Sequence, residues 1–235
     1  MTGKYIRKAD KKEIEYYEKF LYPFQDEVFA FIRSDRLYLS GGTCLSRFYY
    51  QHRYSDDLDF FFDGYLYPEE EFDILFQKII NKISEKFKIE VMQSSEYFKR
   101  AFIYKDGKPL KLEFVFENYK NIGQRKETNQ IIIDSKENIA TNKITAVYDR
   151  KSVKDFIDLY YLFKDVEFDN VVKWAEYKIV PLDYEGVLIA FADKRLEGTV
   201  LMRGDISINA DMFEDEFRQF VERLIKQMVD YAKKS

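Results

Sequence analysis

The sequence predicts an α+β protein in which a small mixed β-sheet, flanked by helices, is followed by an all-helical C-terminal bundle. Short strand-like segments and one long amphipathic helix alternate over residues 1–135, whereas residues 136–235 follow a nearly continuous helical pattern. The chain of 235 residues is long enough for one large domain or two small ones. We therefore expect a mixed α/β domain over 1–135 and a helical domain over 136–235.

The predicted strands are short and are separated by turn signals. Residues 37–40 and 58–62 are two such strands, each followed by a turn that contains glycine. Asp106-Gly107 is a strong signal for a hairpin between two later strands. Further strands are predicted at 89–93, 97–104, 109–116 and 131–133.

The predicted helices carry apolar residues at intervals of three and four positions. Pro68, followed by three glutamates, is typical of a first helical turn, where proline costs no hydrogen bond and acidic groups favour the helix dipole. Helices are predicted over 13–33, 43–51, 68–87, 137–150, 153–165, 170–177, 184–196 and 212–233.

The composition excludes several classes of protein. The chain has 38 basic and 42 acidic residues and a net charge of −4, which argues against a protein that coats DNA. The single cysteine, Cys44, excludes an internal disulfide framework. The sequence has neither a signal-peptide pattern nor an uncharged apolar run near the ~20 residues of a membrane span. We expect a soluble, cytoplasmic protein without a membrane partner, and a monomer.

Two aspartates at the start of the second strand form one half of a predicted site. Asp57 and Asp59 are two positions apart, so in a strand they project to the same face. Side-by-side carboxylates repel each other unless a cation lies between them, and such oxygen ligands suit Mg²⁺. Asp56 would face the same way as Leu58, and we exclude it from the metal site.

The Gly-Gly turn supplies the other half of the site. Gly41 and Gly42 let backbone amides approach an anion closely, and Thr43 would begin a helix whose amino end favours phosphate. A phosphate-binding turn followed by an acid pair is the minimum apparatus for a reaction of a nucleoside triphosphate. Each part alone is weak, because such turns and solvated acid pairs are common.

These motifs resemble the nucleotidyltransferase superfamily that includes DNA polymerase β, and more closely the AbiEii/AbiGii abortive-infection toxin family. The matching residues are Gly41, Gly42, Thr43, Leu45, Arg53, Ser55, Asp57, Leu58 and Asp59. The resemblance implies a third carboxylate on a neighbouring strand, for which Glu113 is the candidate. It implies Mg²⁺ or Mn²⁺ on Asp57, Asp59 and Glu113, which are also the catalytic carboxylates.

The resemblance extends to residues 141–162 in the helical half. Its residues there are Lys143, Arg150, Lys154, Asp155 and Asp158. Lys143 would reach the triphosphate, and either aspartate would hold Lys143 or act as a base. We expect the helical domain to contribute Lys143 and Asp155 to the catalytic cleft. The alternative is a charged helix face with routine ion pairs.

Arg53 and Ser55 lie close in sequence to the acid pair, where they would contact phosphate or orient a carboxylate. Together with Lys143 and Asp158, they complete the predicted nucleotide-binding set. A purely structural hydrogen-bonding role for Arg53 is the alternative. His52, the one histidine of the chain, is expected at a helix end in a solvated or phosphate-near role, and Cys44 is expected to fill the core.

The resemblance implies a toxin that transfers a nucleoside monophosphate from a nucleoside triphosphate to an acceptor hydroxyl, with RNA such as tRNA as the acceptor and a cognate antitoxin as a partner. A nucleotide-binding toxin or RNA-binding protein without transfer activity is the main alternative. A metal-dependent nuclease ranks last, because it leaves the Gly-Gly turn unexplained.

Two further patterns bear on RNA. Residues 99–126 carry eight basic and three acidic side chains, a net charge of +5, which fits either a phosphate contact or a solvated hairpin. Aromatic residues make up 18% of the chain, and we interpret most of them as core. The rings that would stack on a nucleobase are Tyr49, Tyr50, Tyr54 and Tyr97.

Overall fold

The computed structural model describes residues 6–128, 130–150, 152–178, 183–192, 197–203 and 210–234. The chain divides into two compact units. We term the first the helical unit; it comprises Met1–Ala9, Tyr50–Tyr54 and Lys136–Ser235. We term the second the sheet unit; it comprises Asp10–Tyr49 and Ser55–Ser135.

The described strands are β1 (Ile6–Lys8), β2 (Leu37–Ser40), β3 (Leu58–Asp63), β4 (Lys88–Ser94), β5 (Phe98–Lys105), β6 (Lys108–Glu117), β7 (Lys126–Glu127), β8 (Ile132–Ile133) and β9 (Val200–Met202). The described helices are α1 (Lys11–Tyr16), α2 (Tyr22–Ile32), α3 (Gly41–Cys44), α4 (Glu69–Ser84), α5 (Lys136–Asp149), α6 (Val153–Leu162), α7 (Phe168–Lys178), α8 (Tyr184–Ala192) and α9 (Ala210–Ala232). These elements confirm the predicted α+β class with its helical C-terminal part. The end of the predicted helix at 193–196 lies outside the described residues.

The sheet unit is built on seven strands in the order β4-β5-β6-β3-β2-β8-β7. The central strand β3 runs antiparallel to β2 and parallel to β6. A parallel pair needs a crossover rather than a tight turn, and the chain between β3 and β6 provides it with α4, β4 and β5. This crossover brings residues that are distant in sequence onto neighbouring strands.

The opening helix is continuous through a π-helical turn, Tyr17–Leu21, that joins α1 to α2. It begins at Lys11 because Asp10 and Glu13 form a capping box. Asp10 Oδ1 accepts a hydrogen bond from the Glu13 amide at 2.9 Å, and Glu13 Oε2 accepts one from the Asp10 amide at 2.8 Å. A second π-helical turn, Leu45–Tyr49, extends α3 in the same way.

Stacked phenylalanines form the core between α4 and the sheet. Phe60 of β3 stacks on Phe114 of β6, with ring centroids 5.6 Å apart. From α4, Phe76 meets Phe114 edge-on at 5.3 Å, and Phe72 packs on Phe62 at 5.3 Å. These five phenylalanines are all buried, and they pack across the paired strands β3 and β6.

The helical unit contains one small sheet that the sequence pattern did not predict. β1 pairs with β9 in parallel, and residues 52–54 add hydrogen bonds on β9. The Tyr54 amide donates to the Leu201 carbonyl oxygen at 2.8 Å, and the Arg203 amide donates to that of His52 at 3.1 Å. A strand of three residues is too short to show the alternation of apolar and polar side chains by which strands are predicted. Its partners also come from distant parts of the chain. None of the described helices combines the length and apolar composition needed to cross a membrane.

We predict that Phe60→Ala lowers the free energy of unfolding by about 3–5 kcal/mol, because it removes a buried ring from the stack and leaves a cavity. Phe61→Ala is the matched control, since Phe61 is the next residue of β3 and is only partly buried. Urea unfolding of both variants checks this. Equal losses would contradict the assignment of Phe60 to the central stack.

Candidate active site

The register between β3 and β6 sets two acidic residues on neighbouring strands. Asp59 of β3 pairs with Glu113 of β6, and Asp57 lies directly before β3. Paired positions of neighbouring strands project to the same face of the sheet. The neighbouring strand that the resemblance requires is therefore β6. We term Asp57, Asp59 and Glu113 the acid cluster.

A lysine ammonium lies between two members of the acid cluster. Lys111 Nζ lies 2.8 Å from Asp57 Oδ2 and 3.2 Å from Glu113 Oε1. Arg100 contacts the same Glu113 oxygen through Nε at 2.8 Å and through Nη2 at 2.7 Å. Partial burial alone would raise the pKa of Glu113, but Lys111 and Arg100 outweigh it and lower this pKa. Glu113 is therefore ionised at neutral pH.

The donor atoms of the acid cluster fit a hard divalent cation. All three residues offer carboxylate oxygens, which Mg²⁺ prefers. The Lys111 ammonium occupies the space between Asp57 and Glu113, so a positive charge is accommodated there. Within the described ranges, no three His, Cys, Asp or Glu side chains are already grouped closely enough to hold a metal ion. Metal binding would therefore draw these carboxylates closer together.

Gly41 begins α3 where the backbone passes close to Asp59. Its φ is +68°, in the left-handed region that favours glycine. A Cβ at this position would lie 2.5 Å from Asp59 Oδ2, closer than real Cβ atoms approach. Gly42 is buried in the same turn. The structure thus brings the Gly-Gly turn against Asp59, while phosphate binding by this turn stays a prediction.

Thr43 and Ser55 join α3 to the residues before β3. The Thr43 hydroxyl lies 2.9 Å from the Ser55 hydroxyl and hydrogen-bonds the carbonyl oxygen of Asp57. Both side chains are buried. The helix starts at Gly41 rather than at Thr43. Thr43 and Ser55 therefore hold the backbone at Asp57, while a contact of either residue with nucleotide stays a prediction.

Asp56 is held by the opening helix. Its carboxylate accepts a hydrogen bond from the Tyr17 hydroxyl at 2.6 Å, and its carbonyl oxygen accepts one from Gln25 Nε2 at 2.9 Å. The side chain of Asp56 is thus engaged by Tyr17, and its backbone is fixed directly before Asp57.

The helical unit contains a second group of charged residues, which we term the ion-pair cluster. Its members are His52, Arg53, Lys143, Arg150, Asp155 and Asp158. Arg53 forms two parallel hydrogen bonds with Asp158, from Nε to Oδ1 at 2.7 Å and from Nη2 to Oδ2 at 2.8 Å. His52 Nε2 lies 2.8 Å from the same Oδ1. These contacts give Arg53 a structural role, and its contact with nucleotide stays a prediction.

Lys143 lies between the two aspartates of α6. Its Nζ lies 2.6 Å from Asp155 Oδ1 and 2.7 Å from Asp158 Oδ2. Arg150 adds a contact from Nε to Asp155 Oδ2 at 2.7 Å. Lys143 is only 6% exposed. Both aspartates therefore hold Lys143, and its contact with a triphosphate stays a prediction.

Burial and charge oppose each other at Asp158. Burial alone would raise its pKa, but Arg53 and Lys143 outweigh this and hold the pKa well below the ordinary value. Burial also lowers the pKa of His52, and the contact with Asp158 offsets this only in part. Of the two roles expected for His52, the solvated one is wrong, because His52 is 1% exposed, while a role near phosphate stays a prediction. His52 is therefore a neutral, buried member of the ion-pair cluster.

Three charged residues near the acid cluster were not predicted as parts of a site. Lys111 precedes Glu113 by two positions in a strand, so the alternation of side chains would have revealed it. Arg100 could be placed only from the register between β5 and β6, which pairs it with Glu113. Asp134 is fully buried and accepts a hydrogen bond from the Ser40 hydroxyl at 2.7 Å. Because Ser40 and Asp134 lie far apart in sequence, no local signal predicts their contact.

The basic segment 99–126 is largely neutralised within the sheet unit. All eight of its basic residues lie in the described ranges, and five form ion pairs. The pairs are Lys99 with Asp73, Arg100 with Glu113, Lys105 with Glu27, Lys111 with Asp57 and Glu113, and Arg125 with Asp63. The net charge of +5 therefore overstates the charge that this segment presents to a phosphate backbone.

The four candidate stacking rings differ in exposure. Tyr97 is 52% exposed, whereas Tyr54 is buried. Tyr49 donates a hydrogen bond to the Asp134 carbonyl oxygen at 2.6 Å, and Tyr50 is partly buried. Tyr97 is thus the most accessible of the four rings. Cys44 is buried, as expected of a core filler, and burial raises the pKa of its thiol.

A cavity of about 580 Å³ lies within the helical unit. Its walls include Tyr160 and Phe163 from the α6 region and Phe220 and Arg223 from α9. None of the predicted site residues is among the described residues that line it. The predicted chemistry is therefore not located at this cavity.

A mixed sheet with a Gly-Gly turn against an acid cluster is the arrangement that the resemblance to nucleotidyltransferases implies. The chain belongs to the nucleotidyl transferase AbiEii toxin family of type IV toxin–antitoxin systems, whose family model matches residues 29–230. It is therefore a nucleotidyltransferase of this toxin family.

The chain is also similar to one curated relative in sequence and to two solved structures in fold. An uncharacterized protein of Aquifex aeolicus (strain VF5) is 29% identical over 196 residues, which cover 82% of this chain and 88% of that protein. The fold is similar to that of MenT4, the nucleotidyltransferase toxin Rv2826c of Mycobacterium tuberculosis H37Rv, with a TM-score of 0.57, 14% identity and coverage of 89% and 83% of the two chains. It is also similar to JHP933 of Helicobacter pylori, with a TM-score of 0.53, 17% identity and coverage of 92% and 96%.

We predict that Gly41→Ala lowers the free energy of unfolding by about 2–4 kcal/mol, through backbone strain at positive φ and through the contact of the new Cβ with Asp59. In an Asp59→Ala background, the same change costs only about 1–2 kcal/mol, because the contacting carboxylate is gone. Urea unfolding of the four proteins in this double-mutant cycle checks the prediction. Equal costs in both backgrounds would show that Gly41 does not contact Asp59.

We predict that His52 makes stability depend on pH. The unfolded chain takes up a proton at His52 near pH 6.5, whereas the buried imidazole stays neutral at that pH. The unfolded state therefore binds more protons, so the free energy of unfolding falls by about 1 kcal/mol between pH 7.5 and 5.5. His52→Gln, which keeps a donor for Asp158, flattens this dependence. Urea titrations at each pH check the result, and parallel curves for both proteins would refute it.

Proposed function

We propose that the chain transfers a nucleoside monophosphate from a nucleoside triphosphate to an acceptor hydroxyl, with Mg²⁺ or Mn²⁺ held by the acid cluster. The observation that carries this proposal is the convergence of Asp57 and Glu113 on one positive charge, in a strand register that sets Asp59 beside Glu113. A divalent cation bound there would stabilise negative charge on the reacting phosphate.

In the proposed reaction, the acceptor oxygen attacks the α-phosphorus and the bond between the α-phosphorus and the bridging oxygen of pyrophosphate breaks. The hydroxyl proton passes to solvent water during the attack, and pyrophosphate departs with the electron pair of the broken bond. Gly41 brings backbone to Asp59 at a point where a side chain would collide with the carboxylate, and Gly42 follows it in the same turn. Thr43 and Ser55 act indirectly, since they hold the backbone of Asp57.

Lys143 is proposed to bind phosphate, and Asp155 is proposed to position Lys143 rather than to act as a base. Burial alone would raise the pKa of Asp155, but Lys143 and Arg150 outweigh it and lower this pKa. A carboxylate with a lowered pKa accepts a proton poorly. Asp158 has the same limitation, because Arg53 and Lys143 hold its pKa low.

RNA, with tRNA as an example, is the proposed acceptor, and the biological role is that of the toxin in a toxin–antitoxin or phage-abortive-infection system. The support for RNA is the resemblance to the toxin family. The basic segment adds little, because five of its cations are paired within the sheet unit. The acceptor therefore has to be identified directly.

One observation favours a second candidate, a nucleotide-binding toxin without transfer activity. Asp57 and Glu113 are already neutralised by Lys111, and Glu113 also by Arg100. A site balanced in this way would bind nucleotide through the Gly-Gly turn without requiring a metal.

We predict that Asp57→Asn combined with Asp59→Asn reduces nucleotide transfer by about 10³-fold or more, because two metal ligands lose their charge. The assay uses the full chain, Mg²⁺, total RNA and each of the four nucleoside triphosphates labelled at the α-phosphate. Asp56→Asn is the matched control, since it removes the same charge from the adjacent residue that Tyr17 holds, and it retains transfer. Circular dichroism and urea unfolding verify that each variant folds.

The possible outcomes separate the candidates. Label in RNA that is lost in the double variant supports the proposal, and transfer retained by that variant overturns it. Nucleotide binding without incorporation favours the second candidate. Shortened RNA indicates a nuclease, and label on protein instead of RNA identifies a different acceptor.

A further inference from the structure

We infer that Lys111 is a resident counter-ion of the acid cluster, which a divalent cation must displace and which then pairs with the triphosphate of the substrate. This inference rests on the proposed function, because it assumes that the acid cluster binds a metal. Lys111 is not among the predicted catalytic residues or the predicted nucleotide-binding residues, so this role is new for it.

Lys111 occupies the position that a metal on Asp57 and Glu113 would take. The Lys111 ammonium is within ion-pair distance of both Asp57 Oδ2 and Glu113 Oε1. A metal ligated by the same two carboxylates would stand within a few ångströms of this ammonium. Two positive charges at that separation repel, and both compete for the same oxygen lone pairs. The ammonium and the metal therefore exclude each other from this position.

Lys111, rather than Arg100, is the cation that moves when a metal binds. Arg100 places both Nε and Nη2 on one oxygen of Glu113, and the planar guanidinium fixes this contact. Lys111 instead carries a compact charge on a flexible four-carbon stem, and its ammonium is shared between Asp57 and Glu113. Lys111 can leave without removing the last cation from Glu113. The lysine is thus the exchangeable partner and the arginine the permanent one.

The displaced Lys111 ammonium pairs with the triphosphate of the substrate. A half-buried ammonium that loses both carboxylates requires a new anionic partner. The proposed substrate supplies one, because a triphosphate bound with the metal brings several negative oxygens to the same place. The metal releases Lys111 to pair with the triphosphate, and the triphosphate stabilises the ammonium that the metal has displaced. Metal binding and triphosphate binding therefore favour each other.

The test compares the natural chain with Lys111→Met, which keeps the aliphatic stem and removes the charge. Lys108→Met is the matched control, since it removes the same charge from the same strand at an exposed position over the Phe20 ring. Free Mn²⁺ is titrated with each protein by electron paramagnetic resonance. A labelled, non-hydrolysable nucleoside triphosphate is then titrated at saturating Mn²⁺.

We predict that Lys111→Met binds Mn²⁺ about tenfold more tightly and the triphosphate about tenfold more weakly than the natural chain. Changes of opposite sign distinguish an exchanging counter-ion from a purely structural lysine, whose loss would weaken both. Lys108→Met leaves both affinities unchanged. If Lys111→Met fails to fold, Lys111→Gln, which is polar and similar in length, replaces it.

Equal Mn²⁺ affinity in Lys111→Met and the natural chain overturns the inference about Lys111. In that case the proposed function still stands if the double variant Asp57→Asn with Asp59→Asn abolishes Mn²⁺ binding. Tighter Mn²⁺ binding with unchanged triphosphate affinity supports the displacement and overturns the transfer of Lys111 to the triphosphate. Absence of Mn²⁺ binding in every protein overturns the metal site itself, and the inference with it.

Discussion

The pairing of β3 with β6 sets Asp59 beside Glu113, with Asp57 one step before the strand, and three neighbouring carboxylates repel unless cations balance them. The sheet unit supplies that balance through Lys111 and Arg100. Much of the surrounding structure serves the same arrangement. The missing side chain of Gly41 leaves room for the Asp59 carboxylate, and the contacts of buried hydroxyls hold the backbone before β3.

The helical unit also holds neighbouring carboxylates whose repulsion a cation balances, but there the cation is buried. Asp155 and Asp158 lie one turn apart, and Lys143 bridges them in full burial. Removing one partner from such a cluster leaves a buried charge unpaired, which is costly. The ion-pair cluster is therefore a rigid arrangement that positions Lys143, whereas the half-buried contacts of Lys111 leave its position open to exchange.

Local features could be predicted from residue patterns alone, whereas the position of Glu113 beside Asp59 was reached only through the family resemblance. The strand at 37–40, the following Gly-Gly turn and the acid pair lie within one short segment, so alternation and turn signals sufficed to predict them. The burial of His52 could not be predicted, because its partner Asp158 lies 106 positions away. The same reason explains why the sequence left two alternatives open for the basic segment, whose cations pair with acids on other elements. It also explains the omission of β9, which depends on β1.

Residues 50–54 belong to the helical unit, although the chain on both sides of them belongs to the sheet unit. This short excursion lies between the Gly-Gly turn and Asp57, and it carries Arg53 to its partner Asp158. No single cut of the chain therefore separates the units, and a recombination event at residue 135 would leave Arg53 and His52 without Asp158. An exchange of the helical unit between two chains would therefore have to carry residues 50–54 as well as Lys136–Ser235.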